Sequence, residues 1–141
     1  RYWKEYMGIV FNRFEHIPQT LIHGDMFPTN ILVFPGKCKF VDFANAGIAP
    51  YVMDIGRLTA IIDKKTFLPM CPCSEKVFRA YFEKMSPILQ MEYDEYLKDI
   101  YMAQFIELAY FYSPPGFLGH NEEYNQKIEK RLQEIVDFHF K

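Results

Sequence analysis

From Thr20 to Val41 the apolar residues come only in short runs, separated by Gly24, Pro28 and Pro35-Gly36. Gly and Pro both break regular structure, so this stretch reads as loop and short strands. A short apolar run, Thr20-Leu21-Ile22, leads into a polar loop, His23-Gly24-Asp25-Met26-Phe27-Pro28-Thr29-Asn30. Two β-prone runs follow, Ile31-Leu32-Val33-Phe34 and Cys38-Lys39-Phe40-Val41, joined by Pro35-Gly36-Lys37. A three-residue connector containing Gly between such runs predicts a β-hairpin. The following segment, Asp42 to Pro50, reads as a loop.

Outside this region the pattern is helical. Trp3, Met7, Val10 and Phe14 share one face, which predicts an amphipathic helix over about residues 2 to 15, ended by Pro18. Val52, Ile55, Leu58 and Ile62 predict a helix from Tyr51 to Asp63. Ser74 can cap a helix running to about Met85 and stopped before Pro87. From about Glu92 to Tyr112 the chain is apolar nearly all round, as a central buried helix is. Ser113-Pro114-Pro115-Gly116 breaks it, and Asn121 caps a last helix with Tyr124, Ile128, Leu132, Ile135 and His139 in a stripe. Glu122 and Glu123 sit at its positive end. The fold class is therefore α+β, mostly α, with a small β-hairpin beside a helical bundle.

Composition narrows the function classes. The 141 residues are 50% hydrophobic with a net charge of −2, which excludes a disordered chain and allows one compact core. No Lys/Arg cluster marks a nucleic-acid or anionic-membrane surface. Apolar runs stay far below the roughly 18 residues of a membrane span, and no signal-peptide pattern opens the chain. Cys71-Pro72-Cys73 and Cys38 lack the spacing and the His pair of a zinc turn, so reduced thiols and a cytoplasmic location are expected. His16, His120 and His139 have no partner at ligand or catalytic spacing.

The chemistry-bearing residues lie between 21 and 57. Asp25, then Asn30 five residues on, then a hairpin, then Asp42, place two carboxylates and one carboxamide at strand ends. Phosphoryl transfer needs such a set: a carboxylate to orient and deprotonate an acceptor hydroxyl, and oxygen ligands for the Mg²⁺ on nucleotide phosphates. Taken singly, Asp25 could be a turn residue, Asn30 a strand-start cap and Asp54 a helix N-cap. Their joint order favours the chemical reading.

Leu21-Ile22-His23-Gly24-Asp25-Met26-Phe27-Pro28-Thr29-Asn30-Ile31-Leu32 resembles the catalytic loop of the aminoglycoside phosphotransferase and choline kinase family, distant relatives of protein kinases. Val41-Asp42-Phe43 resembles that family's metal-binding Asp, and Met53-Asp54-Ile55-Gly56-Arg57-Leu58 is similar to the helix that follows it. The resemblance implies Asp25 as catalytic base, Asn30 and Asp42 as Mg²⁺ ligands, and Asp54 as a brace beneath the loop. It also implies that His23 holds the loop backbone and that Gly24 permits its turn. ATP or GTP would be the donor, and the acceptor a small hydroxylated molecule. Glu107, Tyr110, Tyr112 and Asp99 are candidates to meet that acceptor. Asp42-Phe43-Ala44-Asn45 lacks the Glu-Tyr that usually follows the metal-binding Asp in choline kinases, which leaves an aminoglycoside-like or other hydroxylated metabolite.

The same resemblance makes residues 1–141 the C-terminal, catalytic and substrate-binding lobe of a protein-kinase-like fold. No G-x-G-x-x-G or G-x4-G-K-[ST] pattern is present, so the nucleotide-covering lobe is expected before Arg1. A lobe alone is expected to bind nucleotide weakly, turn over little, and self-associate through its uncovered face. The alternatives are a non-catalytic kinase-like module that binds a small molecule or protein, and a helical interaction domain.

Overall fold

The computed structural model describes residues 2–63, 66, 69–112 and 122–140. In chain order these form α1 (Tyr2–Phe14), β1 (Gln19–Ile22), a 3-10 turn (Pro28–Asn30), β2 (Ile31–Phe34), β3 (Lys37–Phe40) and β4 (Gly47–Pro50). Then come α2 (Met53–Ala60), α3 (Ser74–Leu89), α4 (Tyr93–Glu107) with a π-helical turn (Leu108–Tyr112), and α5 (Glu122–His139). The molecule is mostly helical with small antiparallel sheets, in keeping with the expected α+β class.

The expected hairpin is present: Ile31 lies opposite Phe40 and Phe34 opposite Lys37. Lys37 thus belongs to β3, and the turn is only Pro35-Gly36, with Gly36 at φ 71°. The segment after Asp42 is not loop throughout. Gly47–Pro50 pairs antiparallel with Gln19–Ile22, with Gln19 opposite Pro50 and Ile22 opposite Gly47. Neither run alternates clearly in sequence, so only their tertiary pairing defines them as strands. This second sheet brings the ends of two loops together, residues 23–30 and 42–46.

The predicted helix from Tyr51 to Asp63 is shorter at both ends. The Tyr51 N–H donates to the Pro18 carbonyl (3.1 Å), extending the β1–β4 association, and α2 starts only at Met53. At its other end Ile61 is extended (φ −66°, ψ 129°) and Ile62 bridges to Pro69. The helix expected to stop before Pro87 continues to Leu89. Pro87 lies in the last turn, where its missing N–H removes a single bond, and the helix ends at Gln90 in the left-handed region (φ 52°). Ser74 is the first residue of α3 and not its cap; Cys73 occupies that position. The expected break at 113–116, the Asn121 cap, His120 and the Trp3 and Tyr112 side chains lie outside what is described.

α4 is the central helix, with Tyr96, Ile100, Ala103 and Phe105 fully buried. It meets α2 at a glycine: a Cβ added at Gly56 would overlap the Ala103 methyl, so the two backbones approach as only Gly allows. Gln104 Nε2 donates to Thr59 Oγ1 (2.8 Å) beside that contact. Tyr124, Ile128, Leu132 and Ile135 bury the predicted stripe of α5, and His139 stacks on Tyr101 at 3.7 Å between ring centroids. Rings from Tyr51, Tyr81, Phe82 and Tyr93 surround Tyr96, their centroids 5.1–6.3 Å from its own. The buried hydroxyls are satisfied: Tyr96 donates to the Phe78 carbonyl and Tyr81 to the Tyr51 carbonyl, each at 2.9 Å.

The hairpin side chains are left outside this core. Leu32, Val33, Phe34 and Phe40 are all exposed, Val33 to 79%. No helix among the described residues is long and apolar enough to cross a membrane.

Candidate active site

β1 ends at Ile22, and the chain turns sharply at Gly24 (φ 76°). A side chain there would overlap the Asn45 carbonyl oxygen, so the turn closes directly onto the 42–46 loop. Asp54, in the first turn of α2, holds this turn from beneath. Its Oδ2 accepts the His23 N–H (2.6 Å) and its Oδ1 the Gly24 N–H (3.0 Å). Two otherwise unpaired backbone donors thus share one carboxylate, a stronger arrangement than neutral acceptors supply.

His23 is buried and fixes the loop in a second direction. Its Nε2 donates to the Val41 carbonyl (2.8 Å), leaving Nδ1 to accept the Asp25 N–H (3.3 Å). Both bonds call for the neutral ring with its proton on Nε2. The Phe43 ring lies on His23 with centroids 4.5 Å apart. Between Val41 and Phe43, Asp42 adopts φ 65°, a left-handed conformation uncommon outside Gly and tolerated best by Asn and Asp. Asp42 is exposed.

The 3-10 turn delivers Asn30 to Asp25. Asn30 Nδ2 donates to the Asp25 carbonyl (2.9 Å) and to Asp25 Oδ2 (3.1 Å). The reversed amide would set an oxygen against two acceptors, so this orientation is the consistent one, and it turns Asn30 Oδ1 away from Asp25. The Asn30 carbonyl accepts the Val41 N–H (3.0 Å), which sets Asn30 beside the residue preceding Asp42. Asp25, Asn30 and Asp42 are therefore gathered at the open end of the hairpin.

Residues 10–81 match a family described as phosphotransferase enzyme family, over half of the chain. The chain belongs to the phosphotransferase enzyme family. No curated protein and no solved structure matches it. The matched segment runs from α1 into α3 and contains His23, Gly24, Asp25, Asn30, Asp42 and Asp54, whereas the acceptor candidates Asp99, Glu107, Tyr110 and Tyr112 lie beyond it.

Two residues of this candidate site have roles that the sequence did not point to. Arg57, one turn after Asp54 on α2, donates from Nη1 to the Gly24 carbonyl and to Asp25 Oδ1 (3.1 Å). Its Nε donates to Glu107 Oε2 (3.0 Å) on α4. The legible signals were modest: the i, i+3 spacing from Asp54 to Arg57, and a carboxylate, Glu107, following the apolar pair Phe105-Ile106 at the end of α4. Burial pushes the Glu107 carboxyl above its ordinary value, and the Arg57 guanidinium opposes the shift.

Of the residues named for acceptor contact, Asp99 is excluded. It is fully buried, with its oxygens bound to Arg13 (2.7 and 3.1 Å) and to the Tyr51 hydroxyl (3.0 Å), so no face remains for a ligand. Glu107 is also buried, against Arg57. Tyr110 is exposed. Among the described residues no group of three or more His, Cys, Asp or Glu could hold a metal ion, and Cys38, Cys71 and Cys73 are free thiols.

Proposed function

We propose that this chain is the catalytic lobe of an enzyme transferring the γ-phosphoryl group of ATP or GTP to a hydroxyl of a small molecule, aminoglycoside-like or another hydroxylated metabolite. The observation that carries this reading is the Asp25 carboxylate. It is half-buried, bound on one oxygen by Asn30 and on the other by Arg57, at the tip of a loop fixed by Asp54 and His23. A carboxylate so held can orient an acceptor hydroxyl and take its proton as the oxygen attacks phosphorus. Positioning matters most in such a transfer, because the transition state is loose and its charge is spread over phosphoryl oxygens.

The donor set suits Mg²⁺ only as an ion shared with substrate. A cage of protein carboxylates is lacking among the described residues, whereas Mg²⁺ commonly takes one or two protein oxygens and completes its shell with water and phosphates. Asn30 Oδ1 and the Asp42 carboxylate would hold it. When bound, the ion would neutralise charge on the phosphoryl oxygens.

In this reading the exposed hairpin residues Leu32, Val33, Phe34 and Phe40 face a separate nucleotide-covering lobe, and the 141 residues alone bind nucleotide weakly and turn over little. The test uses the complete polypeptide that carries this lobe, with labelled ATP and GTP and a panel of hydroxylated amines that includes an aminoglycoside. Asp25→Asn and Asp42→Asn should each lower transfer by about 100-fold or more while leaving the circular dichroism spectrum unchanged. Transfer that persists in both variants sinks the reading. Tight binding of the amines without transfer by the unchanged protein would favour a binding module instead.

A further inference from the structure

We infer that Arg57 is a positioning residue for phosphoryl transfer, a guanidinium strut anchored on buried Glu107 that fixes the orientation of the Asp25 carboxylate. The inference rests on the phosphotransfer reading above and adds to it a determinant on α2 and α4, outside the catalytic loop itself.

Asp25 has two side-chain torsions. Its bond from Asn30 engages only Oδ2, and a carboxylate held at one oxygen can still swing about that contact. Arg57 engages Oδ1 and, with the same nitrogen, the carbonyl of the preceding residue, Gly24. The two donors come from different elements, the 3-10 turn and α2, so together they fix both the loop and the plane of the carboxylate. The guanidinium is itself held. Its Nε binds Glu107, whose side chain is 5% exposed against 12% for Arg57 and 28% for Asp25. Its centre lies 5.5 Å from the Phe27 ring, a residue of the same catalytic loop.

The alternative, that Arg57 merely ties α2 to α4, fits the structure less well. Those helices already meet through the Gly56–Ala103 backbone contact and the Gln104–Thr59 hydrogen bond. What Arg57 adds is reach from α4 through α2 to the loop. A lysine cannot replace it, because a single ammonium cannot address Glu107, the Gly24 carbonyl and Asp25 in one plane. A cavity of about 60 Å³, lined by Ile22 and Met53 as well as Gly24, Asp54, Arg57 and Glu107, leaves room beside the strut.

The test uses the complete polypeptide and reads hydrolysis of Mg·ATP, with water as acceptor, so that no acceptor need be known. Because Arg57→Ala leaves a buried carboxylate without its cation and can unfold the protein, the main variant is the pair Arg57→Met with Glu107→Met, which removes both charges. We expect kcat to fall about 100-fold with KM for ATP and the thermal midpoint unchanged. Arg57→Lys should not restore kcat, and guanidinium ion below denaturing concentration should raise kcat of a folded Arg57→Ala variant but not of the unchanged protein. A folded double-Met variant with normal kcat, or a loss confined to KM, overturns the inference while leaving the phosphotransfer reading intact. If the unchanged protein neither hydrolyses ATP nor transfers its phosphate to any acceptor, the phosphotransfer reading itself fails.

Discussion

Gly24 and Asn45 are in backbone contact: the Cβ that Gly24 lacks would overlap the Asn45 carbonyl oxygen. The contact seals the turn before Asp25 against the loop that carries Asp42, and it combines with a left-handed φ of 76°. Gly24→Ala should therefore cost about 2–4 kcal/mol, from backbone strain and from steric overlap with a main-chain atom that cannot rotate away. Gly36→Ala is the control. It has a similar φ of 71° but open space around it, so only the strain of about 1–2 kcal/mol applies. Urea unfolding of the two variants separates the contributions; equal losses would show that the Asn45 contact contributes nothing.

Asp54 supplies two oxygens to two amides, and a carboxamide has only one to offer. Asp54→Asn must turn its amino group toward the N–H of either His23 or Gly24, leaving that donor unsatisfied. The expected loss is about 2 kcal/mol. Amide hydrogen exchange at His23 and Gly24 should accelerate more than at Ile100, in the centre of α4. Unchanged protection at both loop amides would show that Asp54 does not hold them.

Asp99 is fully buried between Arg13 of α1 and the Tyr51 hydroxyl. Burial, followed by the nearby Asp99 charge, pushes the Tyr51 phenol well above its ordinary value, so it stays a donor. Arg13→Met should destabilise by about 3–5 kcal/mol, because the carboxylate is then buried without its cation. Adding Asp99→Leu should recover most of that loss, whereas Tyr51→Phe alone should cost about 1 kcal/mol. Thermal melts of the three variants check the order.

Glu107 makes stability depend on pH in a direction that can be worked out. Burial raises its folded carboxyl above the ordinary 4.5, more than Arg57 lowers it, with Asp25 and Asp54 adding to the rise. In the window just above pH 4.5 the native state therefore binds more protons than the unfolded one, so this group's contribution is full below that pH and is lost as pH rises. Glu107→Gln removes the titration. The stability of the unchanged protein relative to Glu107→Gln should decline across that window, as read by denaturant titrations at stepped pH. A flat difference would show that Glu107 titrates normally.

Local chemistry made several features legible in the sequence. The hairpin follows from two β-prone runs around Pro35-Gly36, and the burial of α4 and of the α5 stripe follows from apolar residues at helical spacing. The residues of the site were likewise visible as a motif, since His23, Gly24, Asp25 and Asn30 are neighbours in the chain. The pairing of β1 with β4 was not, because each is four residues long and means nothing until the other is beside it. The end of α3 beyond Pro87 was also missed, because a proline in a last turn removes little.

What the sequence by itself determined is which groups are present and where local structure must break: glycine at 24, carboxylates at 25, 42 and 54, a carboxamide at 30. Only the tertiary structure decided how those groups are aimed. The β1–β4 sheet closes the two loops on each other, Gly56 lets α2 approach α4, and that approach lets Arg57 span from Glu107 to Asp25. The physical reason is that hydrogen-bond direction and burial are set by contacts between residues far apart in the chain, 32 positions from Asp25 to Arg57 and 50 from Arg57 to Glu107, and no local pattern encodes a partner at that distance.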